Sequence, residues 1–425
     1  MNRRILFFGL VLATFYLLTT CDTSDSVKPR NDQFFIKYFG QDGDQYAADL
    51  VATSDGGYVI VGTSDPNKSL AAGGDPLGDG DEDIIIVKTD SEGNEEWVQV
   101  YDGGNLGRDE GTAIIETTTG FVVVGNTFNS GGADWDVVVI ELLADGSING
   151  SPYHFNEMKN GMRTQEFAKS ITIVDNGSFY MIAGNTTAAK EENNQPDPQD
   201  YYVLKLDLLF VEDSVWKVNN KIEGKAEAEF GVRIFQNGTD NYVVFGTSID
   251  PNDQNNLTGL DTYSMFEYKG TTTGTNKYYG DLNSQFCNDV YQAGTNYLMI
   301  GTQAGSPNQL YYASVNSDYS AGFETTIFPS LDLEGNSIVR SIDNENIYLG
   351  SITYTSGDKD IFLGKTSIDG AIERWSRTFG SDGLDNGAKL LQNPDGSIVF
   401  TGTMNISGQR KICLIKTNAE GELKL

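Results

Sequence analysis

Short apolar runs that each contain a glycine recur along the chain, and they dominate its pattern of hydrophobic and polar positions. The run "YVIVGTS" in the first repeat has six counterparts, and the glycines within the seven runs lie 49 to 63 residues apart: Gly62, Gly125, Gly184, Gly246, Gly301, Gly350 and Gly402. Self-similarity at a spacing of this size is typical of repeat architectures. The sequence therefore predicts seven structural units joined by loops of variable length.

Each unit contains four extended segments. In the first unit "ADLVAT" precedes an Asp-Gly-Gly turn and "YVIVGTS" follows it, and the segments at residues 83–90 and 95–101 complete the set. Residues 84–87 are apolar at consecutive positions, as in strands that are buried on both faces. Four short strands per unit, repeated seven times, predict an all-β fold, a seven-bladed β-propeller with four-stranded blades.

One extended segment lacks a neighbour in sequence. "FFIKYFG" at residues 34–40 precedes the first unit, whereas the seventh unit has only three good strands. Phe35 precedes Gly40 by five residues, just as Trp375 in a fourth strand precedes Gly380. We therefore predict that this N-terminal strand completes the last blade, which closes the ring and pairs a sheet edge that would otherwise be open.

The repeat "D-x-A…DGGYVIVG…DIIIVKTD-x-G-N…W-x-x-x-Y" resembles that of bacterial secreted and lipid-anchored seven-bladed propellers. The resemblance covers residues 33–425 and is strongest in units one, two, six and seven. That family is defined by its fold and repeat rather than by an activity. The resemblance thus implies an architecture but supplies no catalytic residues.

The N-terminal residues predict export. Arg3 and Arg4 precede a fourteen-residue apolar stretch at residues 5–18, and "LTTC" ends at Cys21. The stretch is shorter than the roughly 20 residues of a membrane-spanning helix. It resembles a bacterial lipoprotein signal, which implies a lipid on Cys21; a plain secretory signal is the alternative.

These features predict three segments: a signal peptide at residues 1–21, a flexible tether at 22–32 and the propeller at 33–425. We expect a protein held by its lipid at the cell envelope, in the outer membrane of a Gram-negative bacterium, without a transmembrane helix.

Charge restricts the partners of the protein. The chain has 60 acidic against 29 basic residues and a net charge of −31. Such a chain repels phosphate backbones, so nucleic-acid binding is not expected. Cys287 and Cys413 fall in units that are not adjacent, so we predict two buried free thiols rather than a disulfide.

A cluster of aspartates before the third strand of unit one predicts a metal site. "DPLGDGDED" offers carboxylates with intervening glycines, which suits calcium better than a transition metal. The predicted ligands are Asp75, Asp79, Asp81 and Asp83. No other cofactor is indicated. The alternative is a solvated acidic loop with a structural role for Asp83, because an aspartate recurs at its position in other units.

The loops of one propeller face are the candidate recognition surface, since the loops between second and third strands are long in units one, three and four. The residues predicted to bind there are Trp135, Asp134, Asp253 and Asn255. Trp135 would stack on a sugar or anchor a protein, or else pack against a neighbouring loop. The other tryptophans, Trp97, Trp216 and Trp375, are predicted to fill the space between blades.

Aspartates at equivalent positions between blades, Asp44, Asp109 and Asp385, are predicted to bind backbone amides. The single histidine, His154, cannot form a cluster and is predicted to lie on the surface. Because no catalytic motif is present, we expect a non-enzymatic scaffold for a protein partner in a surface complex. A glycan-binding lipoprotein is the first alternative, and a polysaccharide lyase or glycosidase that uses the central pore is the second.

Overall fold

The described residues form eight antiparallel sheets, of which seven correspond to the sequence repeats, one for each. The computed structural model describes residues 33–424 except 41, 66–81, 104–106, 130–133, 157, 160–161, 188–199, 213–229, 250–260, 270–271 and 281–282. Six sheets have four strands, and the sheet of the third blade has three within the described part of the chain. The predicted seven-bladed propeller is confirmed.

The N-terminal strand precedes the first blade, and the strands up to the third blade follow it in chain order. They are β1 (Phe35–Phe39); in blade one β2 (Asp44–Ala52), β3 (Tyr58–Asp65), β4 (Asp83–Thr89) and β5 (Glu95–Tyr101); in blade two β6 (Asp109–Glu116), β7 (Gly120–Asn129), β8 (Asp134–Leu143) and β9 (Tyr153–Phe155); a hairpin of β10 (Met158–Lys159) and β11 (Met162–Arg163); and in blade three β12 (Gln165–Val174), β13 (Phe179–Thr187) and β14 (Asp200–Asp207). A single 3₁₀ turn, Asp175–Gly177, is the helical structure of the described residues.

The remaining blades follow the same order. They are blade four with β15 (Phe230–Gln236), β16 (Asn241–Ile249), β17 (Asp261–Lys269) and β18 (Thr272–Tyr279); blade five with β19 (Gln285–Ala293), β20 (Asn296–Gln303), β21 (Gln309–Val315) and β22 (Ala321–Ile327); blade six with β23 (Leu333–Arg340), β24 (Asn346–Thr353), β25 (Lys359–Thr366) and β26 (Glu373–Phe379); and blade seven with β27 (Asn386–Gln392), β28 (Ile398–Ile406) and β29 (Gln409–Thr417).

Within a blade the strands pair in chain order, so the first strand is innermost and the fourth is outermost. The loops between blades and between second and third strands leave from one face, called here the loop face. The other turns leave from the opposite face, called here the turn face. This order places the seven first strands around the central axis.

The core lies between neighbouring blades. Val61 and Ile84 of blade one pack in one cluster with Val123 and Val138 of blade two, and all four are fully buried. Residues 84–87 are buried throughout, as their continuous apolar pattern predicts. Each sheet is therefore covered on both faces by its neighbours, which explains why its strands do not alternate between apolar and polar residues.

The repeated glycine has a steric cause. A Cβ atom at Gly62 would collide with the carbonyl oxygen of Tyr46 on the first strand, where the strand contains a β-bulge. Gly301 meets the carbonyl of Phe286 in the same way in blade five. The bulge brings a carbonyl so close to the second strand that only glycine fits opposite it.

The chain closes its ring through β1, which pairs antiparallel with β29. Ile36 lies opposite Ile415, and Lys37 lies opposite Leu414. Blade seven thus has the order β1-β29-β28-β27, as predicted from the missing fourth strand. Phe35 also packs against blade one, in a cluster that includes Ile85 and Ile412.

Both cysteines are buried free thiols, as predicted. Cys287 lies in blade five and Cys413 in blade seven. Burial raises the pKa of the Cys413 thiol to about 12, so it is un-ionised at neutral pH. No helix in the described part of the chain has the length and apolar character needed to cross a membrane.

If β1 closes the ring, Phe39→Ala will destabilise the protein by about 3–5 kcal/mol, because it removes a buried aromatic ring between blades seven and one. Urea unfolding measures the change. Tyr38→Ala is the matched control, since that neighbouring side chain is 45% exposed and its loss should cost much less. Equal effects of the two substitutions would contradict the packing of β1.

Candidate functional site

An axial cavity of about 450 Å³ lies among the first strands of the blades. The residue at the β-bulge of each first strand lines it, one from every blade: Ala48, Thr112, Lys169, Val232, Asn288, Asn336 and Ala388. A bulge re-aims the extra residue away from the regular alternation of a strand. Among these seven equivalent positions only Lys169 carries a charge.

A network of ion pairs holds the wall of the cavity. Asp289 accepts a hydrogen bond of 3.0 Å from Arg233 Nε and one of 2.5 Å from Lys389 Nζ, and Ser337 Oγ donates a third at 2.8 Å. Arg233 also lies 4.0 Å from an oxygen of Asp49. Burial opposes ionisation of Asp289, but the two cations lower its pKa to about 2. These charges are thus fixed by each other and keep the wall in place.

Lys169 lies beside this network without a direct contact to it. Its side chain is exposed to the cavity, and it forms no ion pair or hydrogen bond with any residue that the structure describes. Desolvation by the surrounding ring and the neighbouring Arg233 cation lower its pKa, against the opposing effect of the acids Asp289, Asp49 and Glu110. The acidic lining residue Glu334 is already paired, at 2.6 Å, with Lys359. Lys169 is therefore a cation of the cavity that can accept an anionic group from outside.

Two exposed aromatic side chains occur at a repeated position of the first strands. Phe230 and Phe286 stand two residues before the bulged residue of their strands, the position that the lining residue Glu334 occupies in blade six. Both are more than one-third exposed. Exposed aromatic rings beside a recessed charge are typical of a binding surface.

The loop-face residues singled out from the sequence are less accessible. Trp135 is half-buried, with its ring 5.5 Å from that of Phe128 and 5.6 Å from that of Phe167, and Arg108 lies 5.7 Å above it. Asp134 is buried. The other two, Asp253 and Asn255, lie outside the described residues. Trp135 thus packs against neighbouring side chains, which was the alternative to ligand binding. Stacking of its ring on a sugar or a protein partner stays a prediction.

Asp83 is the described member of the predicted calcium ligands, since Asp75, Asp79 and Asp81 lie outside the described residues. It is close to Asp102 and Asp109, and one carboxylate oxygen from each lies within 4.8 Å of the others. Oxygens at about 2.4 Å from a calcium ion can be that far apart. Calcium binding stays a prediction. Asp102 and Asp109 are two candidate ligands that the sequence pattern did not connect to Asp83.

The predicted backbone contacts of the inter-blade aspartates are confirmed. Asp44 accepts from the Arg410 amide at 2.8 Å, and Asp109 Oδ2 accepts from the Gly103 amide at 2.8 Å. Both carboxylate oxygens of Asp385 accept hydrogen bonds from backbone amides. In Asp109, by contrast, Oδ1 is buried without a hydrogen-bond partner. Position 102 is an aspartate, but its equivalent beside Asp385 is Gly380. Asp102, the third carboxylate beside Asp83 and Asp109, therefore has no counterpart beside Asp385.

The other aromatic predictions concern packing. Trp97 lies 6.0 Å from Phe121 of the next blade, and Trp375 packs in the core between blades six and seven, as expected. Trp216 lies outside the described residues. His154 is exposed on the short outer strand β9, with Nε2 3.5 Å from the Tyr101 hydroxyl. Burial raises the pKa of Asp109 and the nearby His154 opposes that rise, so the histidine lies near the carboxylates of Asp83, Asp102 and Asp109.

Comparison with known proteins supports the architecture alone. No protein-family model and no curated protein matches the chain. Among solved structures, a protein of unknown function from Dyadobacter fermentans is similar at 12% identity and a TM-score of 0.50, over 90% of this chain and 97% of that one. Puromycin hydrolase is similar at 10% identity and a TM-score of 0.53, over 89% of this chain. A sialidase from Trypanosoma rangeli has 11% identity and a TM-score of 0.43, over 89% of this chain.

The chain spans about half the length of the last two, 54% of puromycin hydrolase and 56% of the sialidase. The likeness to the Dyadobacter fermentans protein and to puromycin hydrolase is one of fold, and at identities this low it carries no activity with it.

We expect calcium to raise the melting temperature of the protein if the three carboxylates bind it, because a ligand of the folded state alone stabilises that state. Asp102→Asn should remove most of this increase. Asp382→Asn is the control, as it changes an exposed aspartate near the equivalent position of blade six. A parent protein that does not respond to millimolar calcium would end this prediction.

Asp289 should shape the acid stability of the ring. Its folded pKa lies below that of an unfolded aspartate, so its contribution of about 2–3 kcal/mol is present above pH 4 and is lost as the pH falls towards 2. In Asp289→Asn the free energy of unfolding should be lower at neutral pH and should fall less steeply between pH 4 and 2. Urea unfolding at several pH values measures both. Parallel curves for the variant and the parent would contradict this electrostatic account.

Proposed function

We propose that the protein is a non-enzymatic binding and scaffolding propeller of the cell envelope, lipid-anchored through Cys21 in the outer membrane. Its partner is a protein of a surface complex, which inserts an acidic side chain or a chain-terminal carboxylate into the axial cavity. The observation that carries the proposal is Lys169, the one charged residue at the seven bulge positions and a cation without a partner among the described residues.

Local charge supports this choice of ligand. The net charge of −31 repels an anionic partner at the outer surface, so the attraction has to come from the cavity itself. Inside the cavity the wall charges Asp289, Arg233 and Lys389 are already paired, which leaves Lys169 as the unmatched charge. An ion pair formed in such a recessed site is stronger than one at an open surface. The exposed rings of Phe230 and Phe286 then supply apolar contacts at the rim.

One carboxylate of the cavity, that of Asp289, is unsuited to act as the acid in glycoside cleavage. A glycosidase needs one carboxyl group with a raised pKa that can donate a proton. Asp289 has a pKa of about 2 and is ionised at any physiological pH. Glycan binding through the loop face is the alternative function, and it would use aromatic surfaces other than the packed ring of Trp135.

Lys169→Met tests the proposal, because methionine keeps the length of the side chain and removes its charge. Affinity capture from solubilised envelopes should recover a protein partner with the parent, at least tenfold less of it with Lys169→Met, and the parental amount with Lys424→Met. Lys424 is the control since its side chain is 74% exposed at the C-terminal end of the chain. Equal recovery with Lys169→Met would overturn the axial site. Turnover of a polysaccharide by the parent would overturn the non-enzymatic function.

A further inference from the structure

A repeated hydrogen bond joins neighbouring blades on the turn face. The interface between two neighbouring blades is called here a seam. In three seams the side chain at the end of a first strand accepts a hydrogen bond from the backbone amide of a turn in the preceding blade. Glu116 accepts from the Ser54 amide at 2.9 Å, Gln236 accepts from the Asp175 amide at 2.8 Å, and Gln392 accepts from the Ile342 amide at 2.8 Å. Each acceptor lies five residues after the glycine that begins its bulge, so the three positions are equivalent.

The other four seams lack this hydrogen bond among the described residues, and the seam between blades five and six carries a cation in place of the acceptor. Its equivalent position, five residues after Gly335, is Arg340. A guanidinium group has donors only and cannot accept a backbone amide. Arg340 Nη1 is buried without a hydrogen-bond partner. The guanidinium lies close enough to the Tyr312 hydroxyl to hydrogen-bond to it, but Arg340 forms no ion pair with the described residues.

A second repeated contact, made within a blade, is missing from blade five, as it is from blades two and four, which carry Glu141 and Glu267 at its lysine position. In blades one, three and six a third-strand lysine pairs with an aspartate of the turn after the first strand: Lys88 with Asp55 at 3.0 Å, Lys205 with Asp175 at 2.8 Å and Lys365 with Asp343 at 2.5 Å. In blade five Ser314 occupies the lysine position, opposite Leu298 in register. Gly294 occupies the turn position of Asp55 and Asp343, seven residues before the repeat glycine. Blade five thus lacks both partners of the bridge.

These three substitutions coincide with a cavity of about 430 Å³ between blades five and six. Arg340, Ser314 and Gly294 all line it. Its other polar lining includes the amides of Asn296 and Asn316. Phe323 borders it with an exposed fraction of 48%. The site therefore combines a cation, hydrogen-bonding amides and one accessible aromatic face.

We propose that this cavity binds an acidic sugar, a hexuronic acid residue of a glycan. Its carboxylate pairs with Arg340, because a guanidinium matches a carboxylate with two parallel hydrogen bonds. The sugar hydroxyls bond to the amides of Asn296 and Asn316, and one face of the ring packs on Phe323. The cavity belongs to the turn face of one seam and shares no lining residue with the axial cavity, so this inference stands apart from the axial proposal.

Isothermal titration calorimetry with galacturonate, glucuronate and trigalacturonate tests the inference, with neutral galactose as the uncharged comparison. The parent should bind the uronates at least tenfold more tightly than galactose. Arg340→Gln should weaken uronate binding at least tenfold. Glutamine is the residue that blades four and seven carry at this position, so the variant should keep the parental unfolding midpoint. Lys424→Gln removes an equal charge from an exposed site and should bind as the parent does.

Three results would overturn the inference. One is a parent that binds none of the three acidic ligands at 10-fold molar excess over millimolar protein, and another is Arg340→Gln binding uronates as tightly as the parent. The third is an acidic peptide, tetraglutamate, that binds to the parent more tightly than trigalacturonate and loses this binding in Arg340→Gln. That outcome would show that Arg340 binds an acidic peptide rather than an acidic sugar.

Discussion

The backbone pairing of β1 with β29 is the interaction on which the ring depends. It joins residues near the two ends of the propeller, such as Ile36 and Ile415, in one sheet. Without it, blade seven would expose the edge of β29, and the apolar surface that Phe35 and Phe39 cover between blades seven and one would be open. Because every blade packs on two neighbours, this one seam determines whether the first strands converge on a common axis.

The axial cavity follows from that convergence together with the repeated bulge. Seven first strands each carry one extra residue, and the ring aims all seven at the axis. The repeat glycine, as at Gly62, is needed because the bulge brings a carbonyl against the second strand. A feature required for packing therefore also places seven side chains at the axis, where the residue type varies from blade to blade, although Val232 among them belongs to the core. Lys169 is the clearest such change.

Much of the fold was predictable because its signals are local. Apolar runs such as residues 84–87 mark strands, and the likeness of the segment at 34–40 to other fourth strands indicated how the ring closes. The candidate site was harder to predict from the sequence. Lys169 reads as an ordinary polar residue in "FAKSI", since nothing in the sequence marks the bulge that directs it to the axis. Asp83 and Asp109 are 26 positions apart in sequence and meet only through the connection between blades. Arg340 becomes conspicuous only when the hydrogen bonds of Gln236 and Gln392 are known.

A disulfide across the closing seam tests the central claim most directly. Cysteines placed at Ile36 and Ile415, in a chain whose native cysteines are replaced by alanine, lie directly opposite each other in the paired strands. The account predicts that the folded protein oxidises to one crosslinked species, in which peptide mapping by mass spectrometry joins residues 36 and 415. Cysteines at Ile36 and Ile398 should stay reduced. Failure of the first pair to crosslink in the folded state, or equal crosslinking of both pairs, would contradict the closed ring.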